Sequence, residues 1–216
     1  KNADPSLLGD DVQQQVIAWE ENIRRELARW EICQVTHVAS EAGAVLKILE
    51  DASVLATGDP TDKDVYSIDI KTPAADVTGL RLEVLTHESL PHNGPGRQGN
   101  GNLHLNEIRV FVVNETDQPL RELKLASARA DFNQGGGMNI ETAFDGNPNT
   151  AWGIYPEVGK SHQAAFFLAN PLVGKESRRL RVELHQIHGS AHLIGRLKLS
   201  TTDRPGELSA DRTLVT

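Results

Sequence analysis

The spacing of apolar positions changes near Trp30, and the change divides the chain into a helical prelude and a long β-rich body. From Asp10 to Trp30, the residues Val12, Val16, Ile17, Trp19, Ile23, Leu27 and Trp30 recur at intervals of three, four and seven, with Glu and Arg between them. That is the stripe of one amphipathic α-helix. Asp10 or Asp11 can cap its start, and Glu20 and Glu21 stand one turn before Arg24 and Arg25. The expected role of this N-terminal segment, residues 1–30, is to pack Trp19, Ile23 and Trp30 on the body that follows.

Beyond Trp30 the period is two. Short runs such as Val65 to Ile70, Leu80 to Leu85, Leu103 to Val113, Gln163 to Leu168, Leu180 to Leu184 and Ile194 to Leu199 are separated by clusters of Gly, Pro, Asn and Asp, which predicts an all-β body. Arg81 and Glu83 alternate with Leu80, Leu82 and Val84, and Arg181 and Glu183 with Leu180, Val182 and Leu184. Such strands have one buried face and one wet face.

The runs also repeat in order. Leu46 to Gly58, Asp64 to Ile70, Leu80 to Leu85 and Leu103 to Val112 parallel Asn139 to Gly153, His162 to Leu168, Leu180 to His185 and Ala191 to Ser200. The drift in offset falls in loops, where insertions are tolerated. The expectation is two related halves, residues 31–116 and 117–216, with the boundary in Glu115 to Leu120. Periodicity leaves open whether each half closes its own sandwich or both share one core.

The 216 residues are 38% hydrophobic and 24% charged, an ordinary globular composition. A net charge of -8 argues against nucleic acid, whose phosphates need clustered Lys and Arg. No run approaches the apolar length of a membrane span, so no membrane insertion is expected. Cys33 is the single cysteine; it has no intrachain partner and reads as a small buried hydrophobe. Opening at Lys1 with KNADPSLL, the chain reads as a segment of a larger protein, with any targeting signal expected upstream.

The sharpest local motif is AFDGNPNTAW, Ala143 to Trp152. Asp-Gly followed by Asn-Pro-Asn-Thr makes a tight turn in which short polar side chains cap backbone amides. The same turn can gather carbonyls, the Asp145 carboxylate and the Thr150 hydroxyl around a hard cation such as Ca2+, and both readings stand. The motif resembles the first-loop signature of discoidin-like, or galactose-binding-like, domains, the fold of many carbohydrate-binding modules. The resemblance implies a jelly-roll, galactose-binding-like β-sandwich and a structural Ca2+ held through Asp145, Asn147 and Thr150. A Glu from a late strand completes the shell in that family. Glu107 in NEIRVF looks like that strand, which requires the first half to complete the loop of the second. DASVLATG, the first half's counterpart, has Ala52 and Ser53 in place of Gly146 and Asn147, so at most one such site is expected.

A second resemblance covers nearly the whole chain. Ala18 to Glu20, the stretch LEDASVLATGDPTDKDVYSI, LRLEVLTHESLPHNGPGRQGNGNLHLNEIRV, Ser127 to Gln134 and HLIGRLKLS look like the β-rich region of large planctomycete-type proteins that also carry a cytochrome c domain. This implies an exported cell-envelope protein with flanking domains, in which this region is the glycan-binding part. No CxxCH occurs in the chain, so no haem is expected within it.

Ser89 to Asn102 holds four glycines, two prolines, Arg97 and the amides of Asn93, Gln98, Asn100 and Asn102. Exposed backbone and planar donors suit sugar hydroxyls, and Arg97 could fork onto a carboxylate or sulfate. The competing reading is a rigid crossover with Arg97 tied to a neighbouring acid. Sugar faces stack on aromatic rings, which nominates Tyr155 in the Gly153 to His162 loop, and Trp152 before it. His185, His188 and His192 are spaced three and four apart; a metal site, neutral turn histidines and a patch for an acidic sugar are all open. GxSxG, HExxH and a Walker loop are absent from the sequence. Glu83, Glu107, Asp145, Glu157 and Glu183 supply carboxylates whose separation is a three-dimensional fact.

The resulting expectation is a non-catalytic module that binds a polysaccharide through Arg97, Asn100, Asn102, Trp152, Tyr155 and His162. The alternative is a structural or protein-interaction spacer. A lyase or hydrolase is a third, weaker possibility, whose sign would be two carboxylates, or a His and Tyr pair, facing across a cleft.

Overall fold

The computed structural model describes residues 9, 12–19, 30–73, 76–114, 116, 118–174 and 179–204. The body is an antiparallel β-sandwich, the all-β class expected. Its strands are β1 (Glu31–Ile32), β2 (Gln34–Ser40), β3 (Val45–Ile48), β4 (Val54–Thr57), β5 (Asp64–Lys71), β6 (Val77–Val84) and β7 (His104–Leu105), then β8 (Glu107–Val113), β9 (Pro119–Leu123), β10 (Leu125–Ala130), β11 (Trp152–Gly153), β12 (His162–Leu172), β13 (Arg179–Gln186) and β14 (Arg196–Thr202). One sheet runs β10-β12-β6-β14-β4-β3 with β1 also on β14, and the other runs β2-β5-β13-β8-β9.

The two related stretches interleave in both sheets. At the centre of one sheet lie β5, β13 and β8; at the centre of the other lie β12, β6 and β14. The repeat pairs β5 with β12, β6 with β13 and β8 with β14, so each strand has its counterpart in the opposite sheet. The register agrees on one side, where Leu184 opposes Ile108 and its counterpart Val84 opposes Leu197; on the other it is shifted by two, since Leu184 opposes Tyr66 while Val84 opposes His162, the counterpart of Asp64. A pseudo-twofold therefore exchanges the sheets. One core is filled from both stretches, by Ile68, Leu82 and Val110 together with Trp152, Phe166 and Leu184. The chain around residue 116 joins β8 to β9, which pair within one sheet.

Alternation produces these elements as expected. In β13, Leu180, Val182 and Leu184 are buried while Arg181, Glu183 and His185 are partly exposed. Across the register, Arg181 donates through Nε and Nη2 to both carboxylate oxygens of buried Asp69, at 2.7 and 2.8 Å. Cys33 is buried between β1 and β2, and desolvation pushes its thiol up to about 11.

The prelude differs in part from the sequence expectation. Residues 12–19 are helical, but Val16 and Ile17 are exposed and Trp19 is 64% exposed. Ile23 lies outside the described residues. Trp30 does meet the sandwich, with Arg81 Cζ 5.4 Å from its ring and the Phe167 ring at 6.3 Å. The outer face near Trp30 carries Arg81 paired to Glu83 at 3.2 Å and Lys198 paired to Asp51 at 2.9 Å.

Candidate functional site

The loops nominated from the sequence meet. The Gly159 N–H donates to the Gly94 carbonyl at 2.7 Å, and a Cβ on Gly101 would lie 3.3 Å from Val158 Cβ. The Ser89 to Asn102 loop is itself tightly closed. The Gly96 N–H donates to the Gly101 carbonyl at 2.9 Å, and Arg97 N–H donates to the Leu193 carbonyl at 2.8 Å. Backbones approach so closely that a Cβ on Gly96 would sit 1.8 Å from the Asn102 carbonyl oxygen, which only glycine accommodates.

Four of the six nominated ligand contacts face inward, which corrects their expected role. Arg97 is buried and its Nη2 donates to the Gly58 carbonyl, so the loop is a rigid crossover tied to a carbonyl rather than to an acid. The Arg97 charge also lies near buried Tyr66, whose hydroxyl is nonetheless pushed up to about 12 by desolvation. Asn102 is buried; its Oδ1 accepts Ile154 N–H at 3.2 Å and its Nδ2 donates to Gln134 Oε1 at 3.1 Å. Trp152 is core, with Nε1 donating to the Phe132 carbonyl at 2.9 Å. His162 is buried with Nδ1 3.2 Å from Asp131 Oδ2 and Nε2 2.8 Å from the Glu157 carbonyl. Burial opposes the charged imidazole, but the Asp131 carboxylate and Glu157 carbonyl outweigh it and raise its pKa.

Asn100 and Tyr155 remain at the surface. Asn100 is exposed and its Oδ1 accepts Asn102 N–H at 2.8 Å. Tyr155 is 49% exposed, and its backbone N–H is fixed by Gln134 Oε1 at 3.1 Å. His92, Asn93 and Lys160 on the same two loops are also exposed. The result is an exposed aromatic ring on one loop and exposed amides on the loop that abuts it, both on a hydrogen-bonded backbone.

The Asp145 loop forms a second locus. Thr150 Oγ1 lies 3.1 and 3.0 Å from the Asp145 oxygens and 2.8 Å from the Asn147 carbonyl. Asn106 Nδ2 donates to the carbonyls of Pro148 and Thr150, both at 3.0 Å. Glu107, at the start of β8, packs its carboxyl against Asp145. So the first stretch does reach the loop of the second. One Glu107 oxygen, Oε1, is buried without a partner. Burial and the Asp145 charge raise the Glu107 pKa, outweighing the amides of Gly146 and Asn147 that favour its charged form.

The pseudo-twofold sharpens this. Asp51 is the counterpart of Asp145, and Arg196, first residue of β14, is the counterpart of Glu107. Asp51 receives Arg196 Nη2 at 2.9 Å and Lys198 Nζ at 2.9 Å; against the cost of burial, hydrogen bonds from the Ser53 hydroxyl and amide and from Lys198 hold its carboxyl well below the usual range. Thus one half closes an acid on two cations, while the other closes an acid on an acid. An oxygen cluster with surplus negative charge and an orphaned buried carboxylate oxygen fits a hard cation.

The other nominated carboxylates are apart. Glu83 pairs with Arg81 at 3.2 Å, Glu183 with His185 at 3.3 Å, and Glu157 with Lys160. A groove of about 510 Å3 opens beside Glu107, lined in part by Arg109, Glu122, Lys124 and His185. Its Arg109 is already forked onto Glu122 at 2.9 and 2.7 Å. Among the described residues no helix is long and apolar enough to cross a membrane.

No family model matches the chain, and no curated protein matches it. Among solved structures, the chain is similar to one holding the CBM32-1, CBM32-2 and M60 catalytic domains of ZmpB from Clostridium perfringens. Identity is 9% and the TM-score 0.37 over 81% of this chain, which spans 15% of that one.

Proposed function

We propose that this chain is a non-catalytic carbohydrate-binding module whose ligand face is built by the Ser89 to Asn102 and Gly153 to His162 loops. The observation that carries the reading is Tyr155, a half-exposed ring whose backbone is fixed by Gln134, on a loop that abuts the one carrying exposed Asn100. The apolar face of a pyranose stacks on such a ring and its hydroxyls take planar amides. Because the loops are already hydrogen-bonded, little ordering cost falls on binding. The ligand class is a polysaccharide, and the module reads as part of a larger exported protein.

Ca2+ belongs to the scaffold in this reading. Asp145, Asn147, Thr150 and Glu107 would hold it, and the ion would supply the positive charge that Arg196 and Lys198 give Asp51. The chain's own groups shape the loop and position β8 against it.

The reading is tested by affinity electrophoresis and calorimetry against neutral and acidic polysaccharides, with and without chelator. Saturable binding to one glycan class, lost in Tyr155→Ala and weakened in Asn100→Ala, is expected. A folded protein that binds none of the panel overturns it. A second reading, a spacer docking on neighbouring domains, is favoured by one observation: Val16, Ile17 and Trp19 leave an apolar stripe of the helix exposed.

A further inference from the structure

Three imidazoles meet at the end of β7. His104 comes from β7 itself, whereas His188 and His192 come from the loop between β13 and β14. One ring nitrogen from each lies within 4.8 Å of the others. The ring centroids of His104 stand 4.1 Å from His188 and 4.2 Å from His192. The sequence spacing suggested His185 as the third member, but His185 sits in β13 beside Glu183, 3.3 Å away. His104 takes its place, brought in by strand pairing rather than by proximity in sequence.

We propose that His104, His188 and His192 form a binding site for a divalent transition-metal ion, with Zn2+ the natural occupant. Each ring presents the nitrogen such a site requires. His104 is only 4% exposed, and its Nδ1 is buried with no hydrogen-bond partner, a polar atom left unsatisfied inside the cluster. Its other nitrogen, Nε2, lies 3.2 Å from Asn102 Nδ2, and the Gln134 side chain also bonds the ring. When Nδ1 ligates, Nε2 keeps its proton and Gln134 Oε1 is its acceptor, with the Asn102 Nδ2 amide directed at that same oxygen, 3.1 Å away, rather than at the ring, the orienting contact typical of metal-bound histidine. His192 Nδ1 lies 2.9 Å from the Gly189 carbonyl, which fixes Nδ1 as donor and frees Nε2. His188 is exposed, so a water can complete a tetrahedral shell on the solvent side.

The backbone is shaped for this. Ser190 and Ala191, between the two loop histidines, both adopt left-handed conformations, with φ of 55° and 57°. Side chains other than glycine resist that region. Asp62 holds the turn, accepting Ser190 N–H at 2.7 Å through Oδ1 and Ala191 N–H at 3.1 Å through its carbonyl. The turn sets His188 and His192 around the fixed His104 ring. Burial and the two neighbouring imidazoles depress His104 to about 3, so its ring is neutral and its lone pair available at neutral pH. Nitrogens bound to one tetrahedral Zn2+ at about 2.0–2.1 Å stand roughly 3.4 Å apart. Convergence therefore needs shifts on the order of an ångström and turns His192 out of its parallel stack on His104. Imidazole ligands select Zn2+, Cu2+ or Ni2+ over Ca2+, so this site and the oxygen cluster at Asp145 take different ions.

The test is calorimetric titration of Zn2+ into the untagged chain held in Ca2+, paired with the visible spectrum of added Co2+. Expected are one saturable Zn2+ per chain and the absorption of tetrahedral Co2+. Both are lost in His188→Ala and His192→Ala, whose exposed and half-buried positions leave the fold intact by circular dichroism. Gln134→Ala is expected to weaken the affinity about 10–100-fold. No saturable binding, or binding unchanged in both histidine variants, overturns the site. Glycan retention is read separately, so either proposal can fail alone.

Discussion

Glu107 packs its carboxyl against Asp145 at the place where, across the pseudo-twofold, Arg196 bonds Asp51 at 2.9 Å. Two acids in one partly buried site repel unless a proton or a cation lies between them. Burial and this repulsion raise the Glu107 pKa, and if the loop holds a cation as proposed, its stability should depend on that ion.

The sign of the pH effect follows. A carboxyl raised above its unfolded value binds more protons in the folded state, so it stabilises at low pH and that contribution is lost as pH rises through its raised pKa. In chelator, the melting temperature is expected to fall as pH climbs from the ordinary carboxylate range to the raised Glu107 value. Added Ca2+ should abolish that slope. Calorimetric melts across pH, with and without Ca2+, check it; a chelated protein with no such slope contradicts it.

Glu107→Arg copies the Asp51 arrangement. The variant is expected to melt higher than the parent in chelator and to show no response to Ca2+. A variant that still gains stability from Ca2+ would show that the ion binds without Glu107.

Trp152 and Tyr155 are three residues apart and should behave in opposite ways. Trp152→Ala empties a fully buried site and is expected to cost about 3–5 kcal/mol. Tyr155→Ala alters a half-exposed ring and should change stability by about 0.5 kcal/mol or less while removing glycan retention. Urea unfolding alongside affinity gels separates the two.

How far the sequence could reach is visible in these pairs. Period-two alternation placed β5, β6, β8, β12, β13 and β14 within a few residues, because one face of each is apolar and, in all but β12, charge marks the other. The internal repeat was also readable. Its consequence, an exchange of sheets, was not, since pairing partners such as β5 and β13 are far apart in the chain. Inward-facing polar side chains were the harder case. Arg97, Asn102 and His162 look like surface ligand groups in polar loop segments, yet each is itself buried and bonds a backbone carbonyl, an amide or a carboxylate. Composition does not say which way a loop side chain points. His104 escaped notice for a related reason: nothing in LHLNE marks the β7–β11 pairing that buries it.

The buried pair of Asp69 and Arg181 gives a further check on the sandwich. Asp69→Ala leaves a partly buried guanidinium without its fork and is expected to cost about 3–5 kcal/mol. Equilibrium denaturation measures it, and a loss below about 1 kcal/mol contradicts a buried pair.

His162 adds a pH term near neutrality. Its raised pKa means that its pairing with Asp131 stabilises below the unfolded value of about 6.5 and is lost as pH rises through the folded value. His162→Gln should flatten the stability profile in that window, with calorimetric melts as the readout.

The most direct test of the central claim is amide chemical-shift mapping of the Ca2+-loaded chain, titrated with oligosaccharides from the glycan class retained on affinity gels. The account predicts shifts clustered on Asn100, Tyr155 and Lys160, with Arg109, Glu122 and Lys124 in the groove beside Glu107 unmoved. Shifts confined to that groove, or absent at saturating oligosaccharide, would contradict a ligand face built by the two loops.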